Sequence, residues 1–243
     1  MEFDLFKPKA PPLFGLDISS SSVKMLEIVD AGKDTYRVER YAIEPLPRDA
    51  VVDGNINNLE AVTEAVRRAH KRLATRTRHV AMAVPTGAVI SKKIVVAAAL
   101  REEELELQVE TEANQYIPFA LDEVNLDFQS LGPAPNNPEE QEVLIAATRK
   151  EKVEDRVAVA ESAGLKAIVM DVESFAQQAA LGLVVQSLPS GGKDQNVAVV
   201  DVGANVMNVT VLRNDQTVEI ITAKGAHDRG RCDEQARDHR GER

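Results

Sequence analysis

Two short stretches of this chain hold residue types that could bind a phosphate. The first, GLDISSSSVK (Gly15 to Lys24), ends an apolar run on an acid, Asp17, and follows it with Ser19, Ser20, Ser21 and Ser22 before Lys24. The second, NVAVVDVGANVMN, does the same about 180 residues later, with Asp201 followed by Gly203, Ala204 and Asn205. A turn built from small residues lets backbone N–H groups converge on an anionic oxygen. A carboxylate beside such a turn would repel phosphate unless a divalent cation lay between them. Mg²⁺ suits that place, because it prefers oxygen ligands and keeps several of its waters, so that Asp17 and Asp201 could hold it from opposite sides. Lys24, seven residues beyond Asp17, falls on the second strand, from which an ammonium can reach back to the same phosphate. Asp often starts a turn for no chemical reason. The recurrence of the pattern is what makes a metal-phosphate site the better reading.

The elements that must position these turns can be read from periodicity. Leu13–Ile18, Lys24–Val29 and Tyr36–Ile43 read as a three-stranded meander, and Asn196 to Ala223 repeats it. Asn58 can cap a helix over Leu59–Leu73, and Val80–Val84 reads as a strand buried on both faces and stopped by Pro85. Between the meanders lies an α+β unit. Its strands are Ser91–Ala97, Val124–Leu131 and Val143–Thr148, with a Pro- and Asn-rich loop at Gly132–Glu142. Its helices are Arg101–Tyr116 and Lys152–Ala163. A strand at Ala167–Val172 and a helix at Ser174–Gln186 follow.

Composition bounds the function. The 243 residues are 44% hydrophobic and 28% charged, with one cysteine, Cys232. That excludes an internal disulfide and a Cys-based zinc site, and fits a reducing cytosol. A formal net charge of −10 argues against a nucleic-acid partner. No apolar stretch has the length of a membrane span, and the N-terminus is not a signal peptide. Phe3, Leu5 and Phe6 beside Lys7 and Lys9 read as an arm on its own domain rather than a membrane contact.

Paired hairpins of this kind resemble the two phosphate motifs of the actin, Hsp70 and sugar-kinase superfamily. The inserted α+β unit resembles the cell-division protein FtsA. The runs PPLFGLDISSSSVKMLEI, VVDGNI, YIPFALDEVNLDFQ and DVGANVMNVTVL are similar, in order and spacing, to the PilM family of type IV pilus assembly proteins. The resemblance implies an α/β, actin-like (ribonuclease H-like) ATPase fold with an FtsA-type inserted subdomain. Residues 1–87 and 168–192 would form subdomain 1A, 88–167 the insertion, and 193–223 the start of an incomplete second domain. It further implies ATP with Mg²⁺ bound by Asp17, the Ser19–Ser22 turn, Lys24, Asp201, Gly203, Ala204 and Asn205, the metal by Asp17 and Asp201. The implied partner is the cytoplasmic N-terminal peptide of PilN, gripped beside the insertion by a cytoplasmic scaffold at the inner membrane. Pilus motor ATPases and self-association into a ring come with the family. Ala204 and Asn205 replace an acid and a glycine of actin, so ATP hydrolysis is expected to be weak at most, and no catalytic residue is assigned. An FtsA-like filament protein is the runner-up. A small-molecule kinase, for which Asp171 is the best-placed acid and Glu173 follows it, is third.

Other signals carry less. SGGKDQ (Ser190–Gln195) lacks the strand, the hydroxyl and the helix of a P-loop. Glu102, Glu103 and Glu104 complement a helix dipole. His70 and His79 have no partner at metal spacing, and RRAHKR (Arg67–Arg72) reads as a solvated helix face. Residues 224–243 hold five Arg and no Val, Ile, Leu, Met or aromatic residue. That segment is expected to be an aberrant, disordered tail from a reading frame that ends early, leaving a C-terminal truncation.

Overall fold

A computed structural model describes residues 11–32, 35–186, 188–213 and 216–224, the last segment by its backbone alone. The tail from 225 and the N-terminal arm, on which two of the expectations above fall, lie outside the described residues. The first sheet has the order β10-β6-β1-β2-β3, where β1 is Leu13–Ile18, β2 Ser22–Gly32, β3 Thr35–Pro45, β6 His79–Val84 and β10 Lys166–Val172. β1, β2 and β3 form the antiparallel meander, and β6 pairs in parallel with both β1 and β10. A small hairpin, β4 (Val51–Val52) with β5 (Asn55–Ile56), turns on Asp53 and Gly54, both at positive φ.

Helix α1 (Leu59–Leu73) forms because Asn58 accepts the Ala61 N–H at 3.0 Å and because Val62, Ala65, Val66, Ala69 and Leu73 recur at helical spacing. All five are buried against β2 and β3 and against α3 (Lys150–Ser162). The basic face of α1 is not merely solvated: Arg72 meets the buried Glu44 of β3 at 3.0 Å and Arg68 meets it at 3.5 Å, tying helix to sheet. His70 stacks on Phe14 at 5.7 Å and bonds the Thr77 carbonyl oxygen, a core role. In β6 the faces differ. Val80, Met82 and Val84 are buried, whereas His79, Ala81 and Ala83 are half-buried, so this strand is not covered equally on both sides.

The inserted unit holds the sheet β7-β9-β8 (β7 Val89–Ala97, β8 Val124–Ala134, β9 Asn137–Arg149) with α2 (Glu102–Tyr116) on one face. The expected loop at 132–142 is instead a continuation of the β8–β9 hairpin. Of its three prolines, Pro133 sits where the register shifts, between Ser130 and Gly132 and between Pro133 and Ala134, Pro135 lies in the turn, and Pro138 is near the start of β9. α3, which the sequence groups with the insertion, packs in the core of the first sheet: Val159 and Ala160, with Leu165 just beyond the helix, sit with Phe14, Val62 and Val80.

After β10 comes α4 (Glu173–Val185), then a short turn at Pro189–Gly192 in which Ser190 and Gly191 have positive φ, so SGGKDQ is a turn and not a phosphate loop. The second meander is β11 (Asn196–Val202), β12 (Val206–Arg213) and β13 (Gln216–Lys224). Val200 and Val202 are 55% and 74% exposed, so one side of this sheet carries little cover. Among the described residues no helix is long and apolar enough to cross a membrane.

Candidate functional site

The two hairpins close in the same way. Ser19 N–H donates to the Ser22 carbonyl oxygen at 3.0 Å, and Gly203 N–H donates to the Val206 carbonyl oxygen at 2.9 Å. Each closure leaves two middle residues at the tip, Ser20 and Ser21 in one and Ala204 and Asn205 in the other. No group among the described residues accepts from their backbone N–H. Paired free amides on a tight turn are donors for an anion. Ser19 Oγ also donates to the Ser22 carbonyl at 3.0 Å, which fixes the first turn. At Gly203 a Cβ would lie 2.8 Å from the Val206 carbonyl oxygen, so the second turn needs glycine.

The acids match as well. Asp17 is the register partner of Lys24, and Asp201 that of Asn208. Lys24 Nζ donates to Asp17 Oδ2 at 2.9 Å, with both side chains about half exposed. Asp201 accepts from Gln177 Nε2 at 3.2 Å. No group of three or more His, Cys, Asp or Glu fit for a metal occurs among the described residues. Two acids can therefore hold a hydrated Mg²⁺ only with water and phosphate completing its shell.

Glu173, at the start of α4, stands between the hairpins electrostatically. Burial pushes its carboxyl above the usual carboxylate range, and the fields of Asp17 and Asp201 add to the rise. Arg156 and a hydrogen bond from the Thr86 N–H oppose it. Asp171, the alternative acid, accepts from the Val172 N–H next to it at 2.7 Å and stays half-buried.

Arg156 is the charged residue the sequence reading passed over. It is 2% exposed on the inner face of α3, and its guanidinium donates to the carbonyls of Ala83, Lys152 and Gly54 at 3.0, 3.1 and 3.0 Å. Its signal was an arginine inside the apolar stripe of Val153, Val159 and Ala160. Glu173 and Gln177 carry the i, i+4 spacing of one helix face, which means little until α4 is known to lie beside both hairpins.

A concavity of about 990 Å³ lies between the inserted sheet and α4. One wall is the sheet face not covered by α2, with Lys93, Asp127 and Ala146; the other is Met170, Val172, Phe175 and Ala179.

Two meanders, each with an Asp next to last in its first strand and a turn of free amides after it, with a unit inserted in the first domain, define an actin-like ATPase fold. Residues 15–222 match the family described as type IV pilus assembly protein PilM. A solved structure described as the PilM-PilN type IV pilus biogenesis complex is similar at a TM-score of 0.75 and 28% identity, over 89% of this chain and 62% of that one. The cytoplasmic domain of EpsL from the type II secretion system of Vibrio cholerae is similar at 0.49 and 11%, over 87% and 71%. The ethanolamine utilization protein EutJ from Carboxydothermus hydrogenoformans is similar at 0.46 and 13%, over 91% and 56%. The chain belongs to the PilM family of type IV pilus assembly proteins. It spans about 62% of the length of the solved PilM chain.

Proposed function

We propose that this chain is an ATP-binding scaffold of the type IV pilus assembly platform, cytoplasmic and held at the inner membrane by gripping the cytoplasmic N-terminal peptide of PilN. The observation that carries this reading is the groove between the inserted sheet and α4 in a chain of this family. Its walls offer apolar contacts at Leu131, Met170, Phe175 and Ala179, and charges of both signs at Lys93 and Asp127. β8 is an edge strand of its sheet, so an extended peptide could also add main-chain hydrogen bonds there.

The nucleotide half of the reading rests on the hairpins. The free amides of Ser20, Ser21, Ala204 and Asn205 fit phosphate oxygens, Lys24 fits a phosphate charge, and Asp17 and Asp201 fit the waters of a Mg²⁺ ion. A bound metal would neutralise phosphate charge between the two turns. Domains 1–87 with 168–192, 88–167 and 193–223 remain the proposed functional division, with α3 packed on the first sheet. Contacts with motor ATPases and with further copies of the chain complete the proposal.

Fluorescence anisotropy with a labelled PilN N-terminal peptide tests it. Ala179→Arg, which fills the groove from an exposed position, is expected to weaken binding at least tenfold, about 1.4 kcal/mol. Peptide binding that is absent in the parent chain, or unchanged in this variant, would overturn the reading.

A further inference from the structure

The charge of this chain is unevenly spread. Its formal net charge is −10, yet residues 67–78 hold six Lys or Arg and no Asp or Glu. All six, Arg67, Arg68, Lys71, Arg72, Arg76 and Arg78, are exposed. Arg68 and Arg72 serve Glu44, and Arg67 meets Glu64. Lys71, Arg76 and Arg78 pair with no carboxylate among the described residues, and neither does Lys166.

The fold gathers these cations at one end of the first sheet. Lys166 N–H donates to the Arg78 carbonyl oxygen at 2.8 Å, and Lys166 and Leu13 are both register partners of His79. The Arg78 guanidinium stands beside Gly164, and Arg67 donates to the Ser162 carbonyl at the end of α3. The acids here are Glu64, Glu161 and Glu27, the last already taken up by Arg40 and Thr75. Residues 1–10 join the sheet at this same end, through Pro11 and Pro12, so Phe3, Leu5, Phe6, Lys7 and Lys9 attach beside Arg78 and Lys166. At up to about 3.5 Å per residue, Phe3 lies within roughly 35 Å of Leu13. β1 runs away from this end and reaches the Asp17 turn roughly 15–20 Å further on, so the cations and the first hairpin stand at opposite ends of one strand.

We propose that this end of the first sheet is a contact for the anionic phospholipid surface of a membrane. Lys71, Arg76, Arg78 and Lys166 meet the headgroup phosphates, and Phe3, Leu5 and Phe6 enter the interface beside them. A basic patch or a short apolar segment alone holds a membrane weakly, whereas the two together make an anchor. From sequence alone residues 1–10 read as an arm on their own domain; the cations around their point of attachment are what the structure adds. The acidic remainder of the surface is repelled by the bilayer, which orients the chain with the patch toward it. The contact needs neither the peptide groove nor the hairpins.

Vesicle flotation of the 243-residue chain, with no peptide or nucleotide present, tests this. Vesicles of two parts phosphatidylcholine to one part phosphatidylglycerol should bind at least about tenfold better than phosphatidylcholine alone, and the gain should fade as salt rises from about 0.05 to 0.5 M. A basic residue near an anionic bilayer is worth roughly fivefold in partition, so Lys71→Glu with Arg78→Glu should lose about 25-fold or more. Both side chains are exposed, so Tm should hold. Lys150→Glu with Lys193→Glu makes the same change in net charge at exposed positions outside the patch, and should cost less than about threefold. Phe3→Ser with Phe6→Ser should weaken vesicle binding about tenfold; unchanged binding there overturns the part given to the arm and leaves it packed on its own domain. Equal binding to neutral and anionic vesicles, or equal losses in the two charge-reversed pairs, overturns the proposal. Binding to a DNA duplex as tight as to the vesicles at the same salt overturns the assignment to lipid.

Discussion

Arg156→Met is expected to destabilise the first domain without touching either proposed ligand. Methionine fills much of the same space, so the loss comes from polarity rather than a cavity. Lys152 is four residues back on the same helix, so its carbonyl retains the Arg156 backbone N–H. The carbonyls of Ala83 and Gly54, on β6 and on the β4–β5 turn, lose their charge-assisted partner. Each such bond is worth about 1.5–3 kcal/mol. Removing a cation whose own pKa is lowered by burial returns part of that, on the order of 1–2 kcal/mol. The net loss is then about 2–4 kcal/mol, or roughly 5–15 °C in Tm. Urea unfolding followed by circular dichroism measures it, with Arg156→Lys falling between the two because an ammonium cannot span both carbonyls. Limited proteolysis should cut first at Asp53–Gly54, whose positive-φ turn the guanidinium holds. A methionine variant within about 0.5 kcal/mol of the parent would refute the reasoning.

Asp17→Ala and Lys24→Ala should each weaken MgATP binding at least tenfold, about 1.4 kcal/mol, by calorimetry. Their half-exposed ion pair contributes only about 0–1 kcal/mol to folding, so Tm should hardly move, which separates lost binding from lost structure. Glu173→Gln should raise Tm near neutral pH. The folded carboxyl holds its proton to higher pH than its ordinary value of 4.5, so ionising it costs stability as pH rises above that value. The gap between variant and parent should close as pH falls toward 4.5, and a gap constant with pH would contradict the assignment.

Much of the fold was legible because its signals are local. Asn58 and five buried apolar residues at helical spacing specify α1, and the strand–Asp–small-turn pattern specifies both hairpins. The extent of β8 and β9 was not legible, because Pro133, Asn136 and Asn137 read as a loop and only the bulged register shows how a hairpin absorbs them. The allegiance of α3 was not legible either. Its apolar stripe would suit any neighbouring sheet, and only packing assigns it to β6, β10 and α1. For the site, the residue types and their register were readable, whereas the Lys24–Asp17 contact, the Gln177–Asp201 bond and the buried Arg156 depend on side chains meeting across 7, 24 and 73 positions of sequence.

The measurement closest to the central claim is hydrogen exchange of the chain with and without the PilN N-terminal peptide. The groove between β7, β8, β9 and α4 should gain protection on β8 and along α4 from Phe175 to Gly182, with a smaller change on β10. Protection confined to residues after Asn196, or none at saturating peptide, would contradict the account.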